Sequence, residues 1–436
     1  MTSTEPMARA EELDAPDDID LDISARQFWA KPFEERERTF SWLRNNHPVS
    51  YHRPYESTLL PPDENTPGFW AITKYDDIQA VSRNAELFSS RQGILMEDFP
   101  EVIQVATTSF LAMDAPEHTR MRRIVSRAFT PRRVRQMDDL VRGVARDLLD
   151  EMESLGEGDF CRLFAAEMPA RIFAHFFGVD PRGEEARILA EAAEKMLAWD
   201  DPTAAAGRDA LHTFAEEAER IQDIALEYAD DRRENPQDDM ISWVVNAEGE
   251  DGEALDDWEV AAFFSLLGSA ANDTTRHSLA HGVRLLSEHP DQRALLLEDL
   301  DGRVDNALEE VLRHSTPVQH FRRTATADTE IGGQAIGAGE KVVIWYCSGD
   351  RDDEVFPDAA RFDITRENAK SHQAFGAGGS HYCIGASLGR SMLRAGFTEV
   401  FSRIPDIEVA GDIGFQVNNF MHGVHHMPVR WTPPTD

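Results

Sequence analysis

The chain has 436 residues, with 44 Lys and Arg against 80 Asp and Glu, a formal net charge of −36. A field of that sign excludes broad nucleic-acid binding and makes any local basic patch conspicuous. At 41% hydrophobic and 28% charged residues the composition is globular, no apolar run approaches the about 20 residues that cross a bilayer, and the acidic start lacks the apolar stretch of a signal peptide. Residues 1–22, "MTSTEPMARAEELDAPDDIDLD", are acidic and are expected to form a solvated tail ahead of a single domain, 23–436. "FWAIT" (Phe69–Thr73) predicts a short strand. "MDAPEHTRMRRIVSRAFTPRRVR" (Met113–Arg135) follows. From Glu117 onward it carries seven arginines against one acid, and His118 and Arg122, four apart, share a helix face. That pair suits a carboxylate ligand, and the other arginines suit an acidic partner.

Helical spacing then dominates: Leu140–Leu155, Ala206–Arg233, Leu255–Glu288 and Val304–His314, with breaks at "GVDPRGEE" (Gly178–Glu185) and "HPDQ" (His289–Gln292). Inside the third lies "LLGSAANDTTRHSLAHG" (Leu266–Gly282). Its small residues allow a large ligand to lie against the helix, and Asp273 and Thr274 place an acid beside a hydroxyl. Such residues compete for backbone hydrogen bonds, so they mark either a local polar bend or a proton relay in a groove. In "EEVLR", Glu310 and Arg313 lie three apart and can pair on one face. Arg361 and Arg366 in "RFDITR" offer a third partner, with Arg361 preferred. "KVVIW" (Lys341–Trp345) and "MPVRW" (Met427–Trp431) are the remaining strand candidates. Few strands around a long helical middle predict a mainly α, α+β fold.

Three cysteines, Cys161, Cys347 and Cys383, are widely spaced and form no C-x-x-C, which suggests neither a disulfide framework nor a zinc site and fits a reducing, cytoplasmic setting. Cys383 stands apart, in "AFGAGGSHYCIGASLGR" (Ala374–Arg390), a glycine-rich loop running into a helical pattern. The loop lacks the last glycine of G-x-G-x-x-G and the G-K-[ST] of a P-loop. A helix start stabilises a thiolate through free N–H groups and the dipole, and the glycines leave room for something flat beside the sulfur. The loop alone leaves open a thiolate metal ligand, with haem the obvious group, an inert cysteine in a glycine turn, and a cysteine nucleophile beside His381, for which the short spacing gives no support.

In order and spacing, from about Phe69 to the end, these motifs resemble the cytochrome P450 family, a mainly α fold with small peripheral sheets. The resemblance implies haem b with Cys383 as its thiolate ligand, Phe375, Gly379 and Gly385 as the loop residues around it, and His118, Arg122, Arg323 and His381 at the haem carboxylates. It implies that Glu310, Arg313 and Arg361, or else Arg366, form a buried network, and that Asp273 and Thr274 are the acid–alcohol pair serving bound dioxygen. Ala271 stands where the family usually has glycine, and Phe375 lies eight residues before Cys383 where seven is usual. The longer loop is similar to that of bacterial members that oxidise sterols, methyl-branched lipids and terpenoids. The expected pocket is Ile94, Leu95, Met96, Leu267, Ala270, Val318, Phe321, Phe420 and Met421, each of which could instead be ordinary core. No flavin or iron–sulfur motif occurs, so electrons are expected from a ferredoxin and its NAD(P)H-dependent reductase, docking on Arg120, Arg123, Arg127, Arg132 and Arg133. The expected function is hydroxylation of an unactivated C–H bond in a hydrophobic terpenoid, steroid or branched lipid. The alternatives are tailoring of a macrolide or peptide, and a haem-thiolate carrier or sensor without turnover.

Overall fold

The computed structural model describes residues 8–99, 109–199, 201, 209–248 and 252–434. Nine of its helices position the site: α1 (Phe33–Asn46), α2 (Glu117–Ser126), α3 (Pro131–Met152), α4 (Glu167–Phe177), α5 (Glu184–Leu197), α6 (Ala210–Glu234), α7 (Asp257–Glu288), α8 (Leu300–Ser315) and α9 (Ala386–Arg403). The axis of the molecule is α7, 32 residues long. It starts at a capping box in which Asp256 accepts from the Glu259 N–H while the Glu259 carboxylate accepts from the Asp256 N–H. It is buried on nearly every side because it packs against α4, α5, α6, α8 and α9. Its crossing with α9 is close. A Cβ on Gly282 would fall 2.2 Å from the Phe397 ring, and one on Gly396 would fall 2.7 Å from Leu279. These two glycines bring the start of α9, and with it Cys383, under the middle of α7.

Five strands make the main sheet: β1 (Val49–His52), β2 (Phe69–Ile72), β3 (Phe88–Ser89), β4 (His320–Ala325) and β5 (Lys341–Trp345), in the order β1-β2-β5-β4-β3. The β2/β5 pair is parallel and the others antiparallel. "FWAIT" and "KVVIW" are strands as their apolar runs predict, and both are buried throughout. "HFRRTA" escapes sequence reading because its polar residues hide a regular alternation. Phe321 and Arg323 leave one face, His320 and Arg322 the other.

The first residues correct an expectation. From Ala8 the described chain touches the fold at both ends of this segment, while most of its middle stays exposed. Ala8 accepts from the Tyr51 N–H at 2.8 Å, Asp20 pairs with Lys31 at 2.5 Å, Asp22 pairs with Arg53 at 2.7 Å, and Ile23 is fully buried. Of the acids that suggested a free tail, Asp20 and Asp22 are ion-pair partners, while Glu12, Asp14, Asp17 and Asp18 are exposed. No described helix is long and apolar enough to cross a membrane, and no group of three or more His, Cys, Asp or Glu among the described residues could hold a metal ion.

Candidate functional site

A cleft of about 1270 Å³ of empty space, its open mouth included, lies between α7 and the Cys383 loop. Its floor is Phe375, Gly376, His381, Cys383 and Gly385, and Leu267, Ala270, Ala271 and Thr274 face them from α7. Backbone bonds hold the loop: the Cys383 N–H donates to Phe375 O at 2.9 Å and the Tyr382 N–H to Gly379 O at 3.3 Å. Burial pushes the Cys383 thiol up, against the backbone N–H groups of Gly385 and Ala386 and the nearby Arg122 and Arg390, which favour the thiolate.

The loop glycines divide their work. A Cβ on Gly385 would meet only the Cys383 sulfur, at 3.9 Å, so this glycine leaves the floor clear. Gly379 does not. At φ +81° its Cβ would fall 2.3 Å from Ser82 O. Its place is the docking of the loop onto the helix Tyr75–Arg83, a correction to the expectation that it clears the cleft.

Four basic groups gather on one side. Arg122 donates to Tyr382 O, and the His118 and His381 rings lie 4.3 Å apart. Arg323 is 2% exposed, donates to Arg322 O at 2.7 Å and makes no ion pair among the described residues. Burial, then Arg323, His118 and Arg122, push His381 down to about 2. Burial pushes His118 and Arg323 down as well. The buried His118 Nε2 and His381 Nδ1 have no hydrogen-bond partner. Buried cations and orphaned ring nitrogens beside an apolar cleft call for an anionic partner. A flat ligand bound through sulfur and carrying carboxylates fits this set, and haem is such a group.

Adjacent helix residues point about 100° apart, so Asp273 and Thr274 cannot share a direction. Thr274 lines the cleft, its hydroxyl donating to Ala270 O at 2.9 Å. Asp273 faces a different, outer cavity beside α4 and α5. There its Oδ1 lies 3.3 Å from Arg276, which reaches Glu194 at 3.1 Å, while Oδ2 has no partner. Burial raises its carboxyl to about 7, with Arg276 opposing. The helix is continuous through both residues. Thr274 and Ser278 bond back to carbonyls one turn earlier instead of breaking it.

The cleft opens into a second chamber, which shares Ala270, Thr274, Val318 and Phe321 with it. Ile94, Leu95, Phe420 and Met421 line this chamber as expected. Met96 does not. It is 1% exposed in a separate core cluster with Trp29, Val343 and Trp345, on the far side of the sheet. Sequence reading missed Phe99, Met196, Trp199 and Phe214. Apolar residues on α5 and α6 look like ordinary core until those helices are placed.

Behind the floor, Glu310 holds Arg313 at 2.7 Å and Arg366 at 3.3 Å. Arg366 is therefore the third member. The Arg361 side chain is 61% exposed and only its carbonyl joins the network, accepting from Arg313. Of the arginines expected on a docking face, Arg123, Arg127 and Arg132 are exposed, with Arg127 also donating to Glu248 O. Arg120 is bound to Glu259 at 2.6 Å, and Arg133 lies 4.0 Å over the Trp243 ring. These two are partly used within the fold.

Known proteins resemble this chain in sequence and fold. A profile described as Cytochrome P450 matches residues 66–404. The methyl-branched lipid omega-hydroxylase of Mycobacterium tuberculosis is 36% identical over 416 residues, 95% of each chain. The steroid C26-monooxygenase of Mycolicibacterium smegmatis is 34% identical over 370 residues, 84% of each chain. The solved structure of a Mycobacterium marinum cytochrome P450 in complex with pseudoionone has a TM-score of 0.89 at 44% identity, covering 96% of this chain and 100% of that one.

Proposed function

The chain belongs to the cytochrome P450 family of monooxygenases, which carry haem b on a cysteine thiolate, and we propose that it hydroxylates a terminal methyl carbon of a slender, methyl-branched or terpenoid chain. The observation that carries the reading is the continuity of the thiol-floored cleft with an apolar chamber, Thr274 standing where the two meet. A hydrophobic chain lying in the chamber would present its end below Thr274. The names of the relatives, one an omega-hydroxylase and one a C26-monooxygenase, support attack at a chain end.

Cys383 is the proposed iron ligand, and Arg122, Arg323, His118 and His381 would hold the haem carboxylates. The bound haem supplies oxygen activation: one atom of O2 enters the C–H bond, the other leaves as water, and two electrons and two protons are consumed. The protein's part is to place the chain, exclude bulk water and deliver protons. Asp273, near 7, exchanges a proton at neutral pH from the outer cavity. Thr274 offers the hydroxyl on the cleft side. The electrons would come from a ferredoxin, an acidic protein that suits the exposed Arg123, Arg127 and Arg132.

The test is a titration of the ferric holoprotein with pseudoionone, a methyl-branched fatty acid and cholest-4-en-3-one, read from the haem spectrum. The chain-like probes are expected to shift the haem spectrum and, with ferredoxin, reductase and NADPH, to yield a terminal alcohol. No response to any probe, or oxidation only at inner carbons, refutes the substrate reading. A Cys383→Ala variant that kept the thiolate-type spectrum of its reduced carbon monoxide adduct would refute the ligand assignment.

A further inference from the structure

The far chamber has a wall with no regular structure of its own. Residues 94–98 run beside the edge of β4, and Ile94, Leu95 and Glu97 line the chamber. Thr324 pairs with Lys341 and Arg322 with Val343, so the Arg322 and Lys341 side chains leave the same face of the sheet. That face is opposite to the one bearing Phe321 and Arg323. Both cations converge on Asp98. Arg322 Nη1 donates to Oδ1 at 2.5 Å and Lys341 Nζ to Oδ2 at 2.7 Å.

The same cations also hold the main chain of the wall. Arg322 Nη1 donates to Glu97 O and Lys341 Nζ to Met96 O, each at 3.3 Å, and the Arg322 backbone N–H donates to Ile94 O at 2.7 Å. Arg322 and Lys341 are each 6% exposed. Buried cations are tolerated when paired, and here the pairing carboxylate belongs to the wall itself. Burial works against the Asp98 charge, but Arg322 and Lys341 outweigh it and hold the carboxyl below its ordinary range. Burial and Arg322 bring Lys341 down to about 8. The Glu97 carboxylate is held separately, accepting from the Asn419 side chain at 2.7 Å. Phe99 follows Asp98 directly and lies 5.3 Å, ring to ring, from Phe214 on α6. The position of Asp98 therefore sets how closely Phe99 approaches α6 across the chamber.

We propose that Asp98 is a positioning residue for substrate: with Arg322 and Lys341 it staples the 94–98 wall to the sheet and so sets the width of the far chamber, touching neither substrate nor haem. β4 then serves both chambers through consecutive arginines, Arg323 facing the cleft and Arg322 the wall. The inference rests on the proposed substrate class for its binding test, and on no ligand for its dynamic one.

The experiment compares holoprotein variants Asp98→Asn, Asp98→Glu, Lys341→Met and the Asp98→Asn/Lys341→Met double. Haem content and the affinity for imidazole, which needs only the iron, are expected to stay within about twofold of wild type. Pseudoionone is expected to bind about tenfold more weakly to Asp98→Asn and to Lys341→Met, no worse to the double variant, and better to Asp98→Glu than to Asp98→Asn. Amide hydrogen exchange at residues 94–99 is expected to quicken about tenfold in Asp98→Asn while α7 and α9 stay unchanged. Unchanged exchange at 94–99 overturns the staple, as does equal weakening for imidazole and pseudoionone. Should wild type respond to none of pseudoionone, the methyl-branched fatty acid and cholest-4-en-3-one, the substrate reading fails, and the exchange result decides the staple alone.

Discussion

Glu310 behind the floor of the cleft and Asp98 in the wall of the far chamber each hold a pair of cations, in different surroundings. Glu310 and Arg313 have no exposed side-chain surface. Glu310 also accepts from the Asp363 N–H at 2.9 Å, and Arg313 also donates to Asp350 O, Ala359 O and Arg361 O. A buried network with its groups satisfied is a fixed part of the fold, and it ties α8 to the segment leading into the cysteine loop. The Asp98 side chain is 34% exposed, although the Arg322 and Lys341 side chains it holds are buried. Water and salt reach the Asp98 carboxylate, which joins an irregular wall to the sheet instead of joining two core elements.

The comparison breaks most readily at Glu310. Glu310→Gln leaves Arg313 and Arg366 uncompensated in the interior and should cost about 3–5 kcal/mol in urea unfolding, with poor haem retention. A loss below about 1 kcal/mol would put the two clusters on the same footing.

Acid tests the interior on both sides. Burial holds His281 and His52 down to about 3 and His320 to about 4. The unfolded chain takes up these protons near pH 6.5 while the folded one does not, so stability is intact above that pH and falls below it until the folded values are reached. Between pH 6.5 and 5.5 these three should remove about 3 kcal/mol together. A flat urea midpoint across that interval would contradict their burial as neutral rings.

The floor glycines give a smaller contrast. Gly379→Ala, with its Cβ driven against Ser82 O at a left-handed φ, should cost about 1–3 kcal/mol. Gly385→Ala should leave the haem-free protein within about 0.5 kcal/mol of wild type, yet weaken haem binding. Equal thermal shifts would deny the division of labour. Arg361→Ala, at an exposed side chain, should change stability by no more than about 0.5 kcal/mol, whereas Arg366→Ala should exceed it.

Much of the site was legible because its signals are local. The cysteine loop, the Glu310–Arg313 spacing and the His118–Arg122 spacing are short-range patterns, and the structure brings all of them to the cleft or directly behind it. What was misread depended on direction. Arg361 and Arg366 are equivalent in sequence, and only the turn that buries Arg366 against Glu310 separates them. Met96 and Leu95 are adjacent apolar residues in an irregular loop, where no periodicity tells which one faces the chamber. Asp98 carried no signal, since its partners lie more than 220 residues away on two strands, one of which was disguised by its polar residues.

The sequence by itself determined the family, the mainly helical architecture and the chemical identity of the cleft's floor, because a thiol in a glycine-rich loop at a helix start is a local device. Only the tertiary structure decided which face of α7 carries the acid and which the hydroxyl, which arginine completes the buried network, and what holds the chamber wall. Those depend on how helices cross and strands register, and side chains far apart in the chain acquire a common direction only when packing supplies it.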